Sequence, residues 1–248
     1  MTDTSPIKLE AIPHRHLAEQ IVDRIERLIL NEELHIGDAL PPERELAAQL
    51  RVSRNILREA IRMLVQKGLV EVRQGSGTYI VRPNVAFLRD SLDFFIRFNK
   101  SAIFDLIEAR RSIEVEIAEL AARRATAEDR LLIARCLDEL EKCVGSIEPY
   151  VGADVRFHAA LAKAAKNEIM KLLLDSIRGS LRENIRILVK HHPTAVSEAM
   201  VYHRRIALAV QQQNAAEARA AMGEHLESVR RDLLELDAQG IRFVPHEQ

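Results

Sequence analysis

Aromatic residues and cysteines are scarce in this sequence, and each shortage excludes a class of protein. Aromatics make up 4% of the 248 residues and tryptophan is absent. This disfavours a β-sandwich or barrel, because such folds draw on aromatic and β-branched residues. The two cysteines, Cys136 and Cys143, form no zinc-ribbon or disulfide pattern, so a disulfide scaffold is excluded and a reducing, cytoplasmic location is predicted.

Long apolar runs and a strong charge of one sign are also lacking. No eighteen consecutive residues are free of charge, so no membrane span is predicted. The net charge is −1, which excludes a protein that coats nucleic acid through its overall charge. The chain is 47% hydrophobic and 29% charged, with much Ala, Leu, Glu and Arg, which predicts an ordered and mainly helical protein.

The first third of the chain has the pattern of a winged helix-turn-helix, which we place at residues 10–82. A helix over about 16–33 is followed by a short helix after Pro42, and then by a third helix that Ser53 caps. Two short apolar runs flank the glycine-bearing loop 74–77 and indicate a β-hairpin. The third helix carries an apolar stripe of Leu57, Ala60, Ile61 and Leu64.

The opposite face of that third helix is basic. Arg54, Arg58 and Arg62 recur at four-residue spacing, and residues 51–73 hold six basic against two acidic side chains, a local charge of +4. Three arginines on an isolated helix are usually a solvated face. Beside a capped turn, a short preceding helix and a wing, they favour a helix that reads DNA in the major groove.

Beyond residue 82 the patterns are helical. We predict a linker and first connecting helix over 83–99, with Arg82-Pro83-Asn84 as a short linker, and an all-α bundle of six or seven helices over 100–238. Thr126 and Asp129 have the spacing of a capping box, and Asn167 and Asn214 are expected to cap later helices. A further break is expected over Gly145–Gly152.

Three blocks in the N-terminal region closely resemble the GntR family of bacterial transcription regulators: residues 40–47, 52–60 and 68–78. The resemblance implies that Arg44, Arg54 and Arg58 contact bases or phosphates. It also implies that Ser53 and Asn55 support them, and that Gln74 and Gly75 form the wing tip.

Four positions depart from the family pattern. Pro42 stands where Ser is usual, Arg51 where Gly is common, and Asn55-Ile56 where Thr-Pro is frequent. Because Asn55 and Ile56 open the third helix, these departures bear on the operator sequence rather than on the fold.

Four residues of the helical region could converge on one metal ion. Asp154 and His158 lie four apart and share a helix face, while His203 and His225 lie on two further helices. One carboxylate and three imidazoles suit Zn²⁺ first, with Ni²⁺ or Mn²⁺ as alternatives. The residues alone leave open that these are ordinary buried histidines.

The same region, over about 100–236, resembles the FCD effector domain of the FadR branch of the GntR regulators. In metal-binding domains of this kind an Asp-His-His-His set holds the ion, which implies that Asp154, His158, His203 and His225 are ligands. Arg110 matches an arginine that grips a carboxylate in similar domains. The alternative is that Arg110 pairs with Glu114 on a solvated helix face.

The sequence therefore predicts a homodimeric transcription regulator, a repressor rather than an enzyme, that binds a palindromic double-stranded DNA operator. Its bundle, over 100–238, is expected to form the dimer and to bind a divalent metal and a small carboxylate effector that modulates DNA binding. Two alternatives stay open: a metal-free acyl-CoA-type sensor, and a metal-dependent hydrolase joined to a DNA-binding head.

Overall fold

The computed structural model describes residues 15–82, 86–99 and 102–241. The chain divides into two compact units, with the boundary between Phe87 and Leu88. Each unit has its own hydrophobic core. Pro83 and Asn84 of the predicted linker lie outside the described residues.

The N-terminal unit is a winged helix-turn-helix, as the pattern predicted. Its elements in chain order are α1 (Arg15–Leu30), α2 (Glu43–Leu50), α3 (Arg54–Gln66), β1 (Val70–Arg73) and β2 (Gly77–Ile80). The two strands pair antiparallel, with Val70 opposite Ile80 and Arg73 opposite Gly77. Helix α3 packs against α1 and α2.

Local sequence explains how α3 is set. The Ser53 hydroxyl accepts a hydrogen bond from the Ile56 amide at 3.3 Å and so caps the helix. The predicted stripe of Leu57, Ala60, Ile61 and Leu64 is buried in the core of this unit. The opposite face of α3 is therefore left to solvent.

The turn between α2 and α3 requires an unusual backbone conformation. Arg51, which ends α2, has φ 54° and ψ 42°, in the left-handed region where glycine is favoured. Its amide still donates to the Ala48 carbonyl at 3.2 Å. The turn therefore forms even though Arg51 stands where Gly is common in the family pattern.

The second unit is all-helical. Its elements are α4 (Ala86–Phe98), which begins two residues before the boundary, α5 (Ala102–Arg124), α6 (Ala127–Lys142), α7 (Ile147–Ala164), α8 (Glu168–Ser176), α9 (Arg178–His191), α10 (Thr194–Gln211) and α11 (Ala215–Ala238). Helix α11 packs along both α5 and α10, and α7 packs against α5, α6 and α9. The core of the unit lies between these helices.

The expected caps are present. Thr126 and Asp129 form the reciprocal capping box at the start of α6. Asn167 and Asn214 accept hydrogen bonds from the amides of Met170 and Glu217. Side-chain oxygens thus satisfy amides that a helix start leaves unpaired.

The structure differs from the sequence interpretation at two places. Helix α7 begins at Ile147, so Gly152 lies within the helix rather than in a loop. The chain also breaks at Ile177, between α8 and α9, where the sequence pattern predicted no break; Gly179 lies two residues further on, in the first turn of α9. At Gly152 the neighbouring residues Tyr150, Val151, Ala153 and Asp154 are buried, and their packing outweighs the cost of about 1 kcal/mol that a glycine carries within a helix.

Candidate functional site

The side chains predicted to contact DNA lie at the surface of the N-terminal unit. Arg54, Asn55 and Arg58 are exposed on α3, and Arg44 is exposed in the first turn of α2. The Arg58 Nε donates to Glu43 Oε2 at 2.8 Å. This contact holds the Arg58 side chain beside α2, and both side chains remain partly open to solvent.

The predicted wing tip is an exposed turn between β1 and β2. Gln74 and Gly75 are both exposed, and Gly75 has φ +75°. A Cβ at Gly75 would meet nothing within 4 Å. Glycine is therefore required here by the positive φ and not by a lack of space. The turn therefore presents bare backbone, which could approach a nucleic acid closely.

Three of the four predicted metal ligands come together inside the helical unit. Helices α7, α10 and α11 supply His158, His203 and His225, and one ring nitrogen of each lies within 4.8 Å of the others. The closest pair of rings is His203 and His225, with centroids 4.6 Å apart. All three side chains are buried.

Asp154 joins this group through a single contact. Its Oδ1 lies 3.3 Å from His203 Nε2, one helical turn from His158 on α7. The group brought within 4.8 Å consists of the three imidazoles. Asp154 is buried beside them, so the predicted fourth ligand lies next to the cluster rather than inside it.

Several ring nitrogens of the cluster are buried without a hydrogen-bond partner among the described residues. They are His158 Nε2, both nitrogens of His203, and His225 Nδ1; the 3.3 Å approach of Asp154 Oδ1 to His203 Nε2 is a close contact and not a hydrogen bond. An unpaired buried polar group costs about 1–3 kcal/mol. Their grouping at one point gives a set of donors that suits a metal ion.

Burial sets the protonation of two of these imidazoles. It holds the pKa of His203 and of His225 well below the ordinary histidine value, and the nearby charges of His158 and Arg110 act in the same direction. Both rings are therefore neutral at pH 7. A neutral imidazole has the free lone pair that a metal requires.

His158 differs because a carboxylate contacts its other nitrogen. Burial would lower the pKa of His158, but the charge and hydrogen bond of Glu114 raise it overall. Glu114 Oε2 contacts His158 Nδ1, and its Oε1 accepts from Arg110 Nε at 2.6 Å. Glu114 thus joins Arg110 to a predicted metal ligand.

The Arg110–Glu114 pair corrects one alternative from the sequence. The pairing at i, i+4 exists, but the side chains are only 4% and 1% exposed, so it is not on a solvated face. Burial would raise the pKa of Glu114, yet the charges of Arg110 and His158 lower it overall. Glu114 is therefore an ionised carboxylate inside the helical unit.

A cavity adjoins this cluster. Its interior volume is about 30 Å³, which is room for about two water molecules. Arg110, Asp154 and His225 line one part of it. The remaining polar lining residues are Tyr150, Asn184, Ser228 and Asp232.

The sequence interpretation missed Glu114 as a partner of His158, and it missed these four lining residues. Ser228 and Asp232 follow His225 by three and seven positions on α11, a spacing that places them on one helix face and could have been noticed. Asn184 has no such signal, because it lies among charged residues on α9.

A winged helix-turn-helix unit with exposed arginines, joined to an all-helical unit, defines the class of two-domain DNA-binding transcription regulators. The described part of the chain contains no helix that is both long and apolar enough to cross a membrane.

Comparison with known proteins identifies the family. Residues 17–80 match the bacterial regulatory proteins of the gntR family, and residues 105–228 match the FCD domain. The Uxu operon transcriptional regulator of Escherichia coli (strain K12) is 35% identical over 232 residues, covering 90% of this chain and 87% of that protein. The HTH-type transcriptional regulator LutR of Bacillus subtilis (strain 168) is 35% identical over 206 residues, covering 82% and 94%.

A solved structure agrees with this assignment. Streptococcus agalactiae GntR has a TM-score of 0.70 and 37% sequence identity, and the match covers 86% of this chain and 99% of that one. The chain belongs to the GntR family of transcriptional regulators and carries an FCD domain. None of these matches indicates an enzyme family.

Proposed function

We propose that this protein is a homodimeric, metal-containing repressor whose helical unit binds a small carboxylate and thereby changes its affinity for a palindromic operator. It would act in the cytoplasm, where bacterial operator DNA lies. The observation that carries the proposal is the cluster of buried, unpartnered imidazole nitrogens beside a cavity that Arg110 lines.

For the DNA-binding half, we assign residues 10–82 to operator recognition. The exposed Arg54 and Arg58 on α3 would contact bases or phosphates, and Arg44 would assist from α2. Ser53 holds the start of α3, where Asn55 is also exposed. The Gln74-Gly75 turn would approach the adjacent groove. Two such units would read the two halves of a palindrome.

For the effector half, we assign residues 100–238, joined to the first unit by residues 83–99. His158, His203 and His225 would hold a divalent ion, with Asp154 as the fourth ligand, and zinc is favoured over nickel or manganese. Bound there, the ion would supply positive charge and an open position for a carboxylate oxygen.

Arg110 would provide the second contact to that carboxylate. Its contact with Glu114 uses the Nε–H, and a guanidinium carries four further N–H donors in a planar fork. Because Glu114 already balances the charge of Arg110, a divalent ion held by three neutral imidazoles and the Asp154 carboxylate would leave one net positive charge at this end of the cavity. An anion is therefore the ligand charge that the site favours.

The effector must bind one arrangement of the two DNA-binding units more tightly than the alternative arrangement. Equal affinity would leave the equilibrium between the two arrangements unchanged. For a repressor, we expect the carboxylate to favour the arrangement that does not fit the operator.

The test compares the thermal unfolding of metal-loaded and chelator-treated full-length protein, with and without small carboxylates such as glycolate and hexanoate. A ligand at a hundred times its dissociation constant adds about 2.7 kcal/mol. We expect stabilisation by zinc, and a further shift by a carboxylate only in the metal-loaded form.

Equal shifts in both forms would make the metal at most structural. The absence of any zinc binding would contradict the metal site and revive a metal-free sensor. As a control, His191→Ala should bind zinc as the wild type does, because His191 is an exposed histidine at the end of α9 and is not one of the three clustered histidines.

A further inference from the structure

The wing carries a further arginine, Arg73, beside its tip. Arg73 is the last residue of β1 and directly precedes the exposed turn at Gln74 and Gly75. The Ser76 amide donates to the Arg73 carbonyl at 3.0 Å and closes that turn. The Arg73 side chain is 53% exposed, so it lies at the surface of the wing next to the predicted tip.

The pairing of the two strands places Arg73 on the solvent face of the hairpin. Glu71 stands opposite Tyr79, and Arg73 lies two positions from Glu71 on the same strand, so these three side chains share one face. The other face carries Val70 and Ile80, which are buried in the core of this unit. The face with Arg73 is therefore directed away from the core.

Tyr79 fixes where the Arg73 guanidinium lies. The Cζ atom of Arg73 is 4.5 Å from the centroid of the Tyr79 ring, which is a cation–π contact. The Tyr79 hydroxyl donates to the Ser76 carbonyl at 3.2 Å and lies 2.7 Å from Ser76 Oγ. Strand β2 is itself held from outside the hairpin, since the Leu40 amide donates to the Thr78 carbonyl at 2.8 Å. Tyr79 thus joins the guanidinium to the turn at the wing tip.

The guanidinium keeps hydrogen-bond donors for a ligand. Its Nε and Nη2 donate to Glu71 Oε2 at 3.4 and 3.3 Å. A guanidinium has five N–H groups, so this ion pair with Glu71 leaves the two on Nη1 and one on Nη2. The Arg73 and Glu71 side chains are 53% and 55% exposed, and an ion pair this exposed contributes little to stability. Arg73 can therefore bind a partner of opposite charge without a large cost to the fold.

A duplex offers the wing one kind of groove. Major and minor grooves alternate along DNA, so a wing beside a helix in the major groove meets the minor groove. A minor groove of A·T base pairs is narrow and strongly negative, and it attracts arginine. A G·C pair places the guanine amino group in that groove, whereas an A·T pair shows only acceptors there. A guanidinium that enters the groove therefore favours A·T pairs.

We propose that Arg73 enters the minor groove beside each half-site, so that the regulator prefers A·T base pairs at positions next to those that α3 contacts. Tyr79 is the residue that positions the guanidinium for this contact. Arginine suits the role better than lysine, because a guanidinium is more weakly hydrated than an ammonium group. The inference rests on the DNA-binding half of the proposed function and is independent of the metal and the effector.

The first step of the test selects DNA with the full-length protein from a double-stranded library of about 30 randomised base pairs, which accommodates two half-sites and their flanks. We expect a core motif with A·T pairs beside it. Three duplexes then share that core and carry A·T, G·C or inosine·C pairs at the flanking positions. Inosine lacks the 2-amino group of guanosine, so an inosine·C pair matches G·C in the major groove and A·T in the minor groove.

Fluorescence anisotropy at fixed salt then measures the three affinities. We expect the wild type to bind the A·T and inosine·C duplexes at least about fivefold more tightly than the G·C duplex. Arg73→Ala should bind all three duplexes within about twofold of one another, and a repeated selection should return the same core motif. Arg73→Lys keeps the charge and should still lose most of the preference.

Two substitutions test Tyr79 as a positioning residue. Tyr79→Leu removes the ring and should reduce the A·T preference as Arg73→Ala does. Tyr79→Phe retains the ring and should retain the preference. Arg24→Ala changes an exposed arginine on α1 and is the matched control, which should alter neither the core motif nor the preference.

The outcomes separate this inference from operator binding. A core motif without A·T enrichment beside it would overturn the inference and leave operator binding standing. If Arg73→Ala weakens binding to all three duplexes equally, the preference does not come from Arg73, which then contacts phosphates only. An inosine·C duplex that binds like the G·C duplex would place the preference outside the minor groove and also overturn the inference. If no motif is selected, the DNA-binding half of the proposed function fails as well.

Discussion

Replacing Glu114 by Gln tests how the helical unit prepares its histidine cluster. Glu114 is 1% exposed on its side chain and contacts Arg110 Nε at 2.6 Å and His158 Nδ1. The substitution keeps the shape of the side chain and removes its charge. A carboxylate offers two acceptors to these two partners, whereas an amide offers one acceptor and one donor group.

The size of the effect follows from that loss. Removing one partner of a buried ion pair costs about 3–5 kcal/mol, because it leaves the charge of Arg110 uncompensated. For the metal, an acceptor at Nδ1 keeps the proton there and leaves the Nε2 lone pair free. Turning the amide group towards His158 removes this preference, so zinc affinity should fall by about 10–100-fold.

Two measurements are needed. Urea unfolding of the metal-free protein, followed at the transition of the helical unit, reports stability. Competition with a fluorescent chelator reports zinc affinity. Glu116→Gln is the matched control, because Glu116 lies on the same helix, is 38% exposed and pairs with Arg219 at 2.8 Å. It should cost less than about 1 kcal/mol and leave zinc affinity unchanged.

The reasoning is refuted if Glu114→Gln lowers stability while zinc affinity stays within about twofold of the wild type. Glu114 would then be a structural partner of Arg110 only. Unchanged stability would refute the buried ion pair itself. If Glu114→Gln does not fold, Glu114→Asp retains the charge, and zinc should still bind more weakly because the shorter side chain withdraws from His158.

Three further predictions concern other parts of the molecule. Arg54→Ala and Arg58→Ala should each weaken operator binding by about 1–3 kcal/mol at fixed salt in a gel-shift titration. Leu57→Ala, at a site with 0% exposure, should destabilise the N-terminal unit by about 2–5 kcal/mol in urea unfolding. Burial would raise the pKa of Asp129, but Lys166 and Thr126 lower it to about 2. Asp129→Asn should therefore cost about 2 kcal/mol at pH 7. Since the folded-state pKa lies below the ordinary value of 3.8, this difference should be full above about pH 5 and shrink as the pH falls towards 2.

Each of these has an outcome that contradicts it. Unchanged affinity in both arginine variants, with Arg230→Ala as a control in the other unit, would remove α3 from the DNA interface. A loss for Leu57→Ala that matches the exposed-site control Val65→Ala would contradict the core assignment. A constant difference from pH 7 to pH 3 for Asp129→Asn would show that its charge contributes no stability.

Much of the fold could be predicted because its signals are local. The Leu57–Leu64 stripe, the Ser53 cap and the Thr126–Asp129 capping box each act within about two helical turns of chain. The winged helix-turn-helix and the all-helical region followed from such signals. At Gly152 the sequence pattern predicted a break, but packing of the buried neighbours keeps α7 continuous, and the pattern predicted no break at Ile177.

The candidate site was likewise predicted only in part: its residues were predicted, but not which of their atoms meet. The residue types and their spacing named Asp154, His158, His203 and His225, and the structure brings the three imidazoles within 4.8 Å. It also shows that Asp154 reaches that group through His203 alone, at 3.3 Å. Spacing along separate helices cannot specify which atoms meet, because that depends on how the helices pack.

The sequence alone determined the class of protein, because turn chemistry, capping and helical periodicity are properties of short segments. Only the tertiary structure decided what the buried polar groups face. Glu114 contacts His158 across 44 positions of chain, and Asn184 Oδ1 is left without a donor in a cavity shared with His225. Such contacts arise when α5, α7, α9 and α11 pack together. Burial excludes water as an alternative hydrogen-bond partner, so each polar group that is left unpaired there costs free energy.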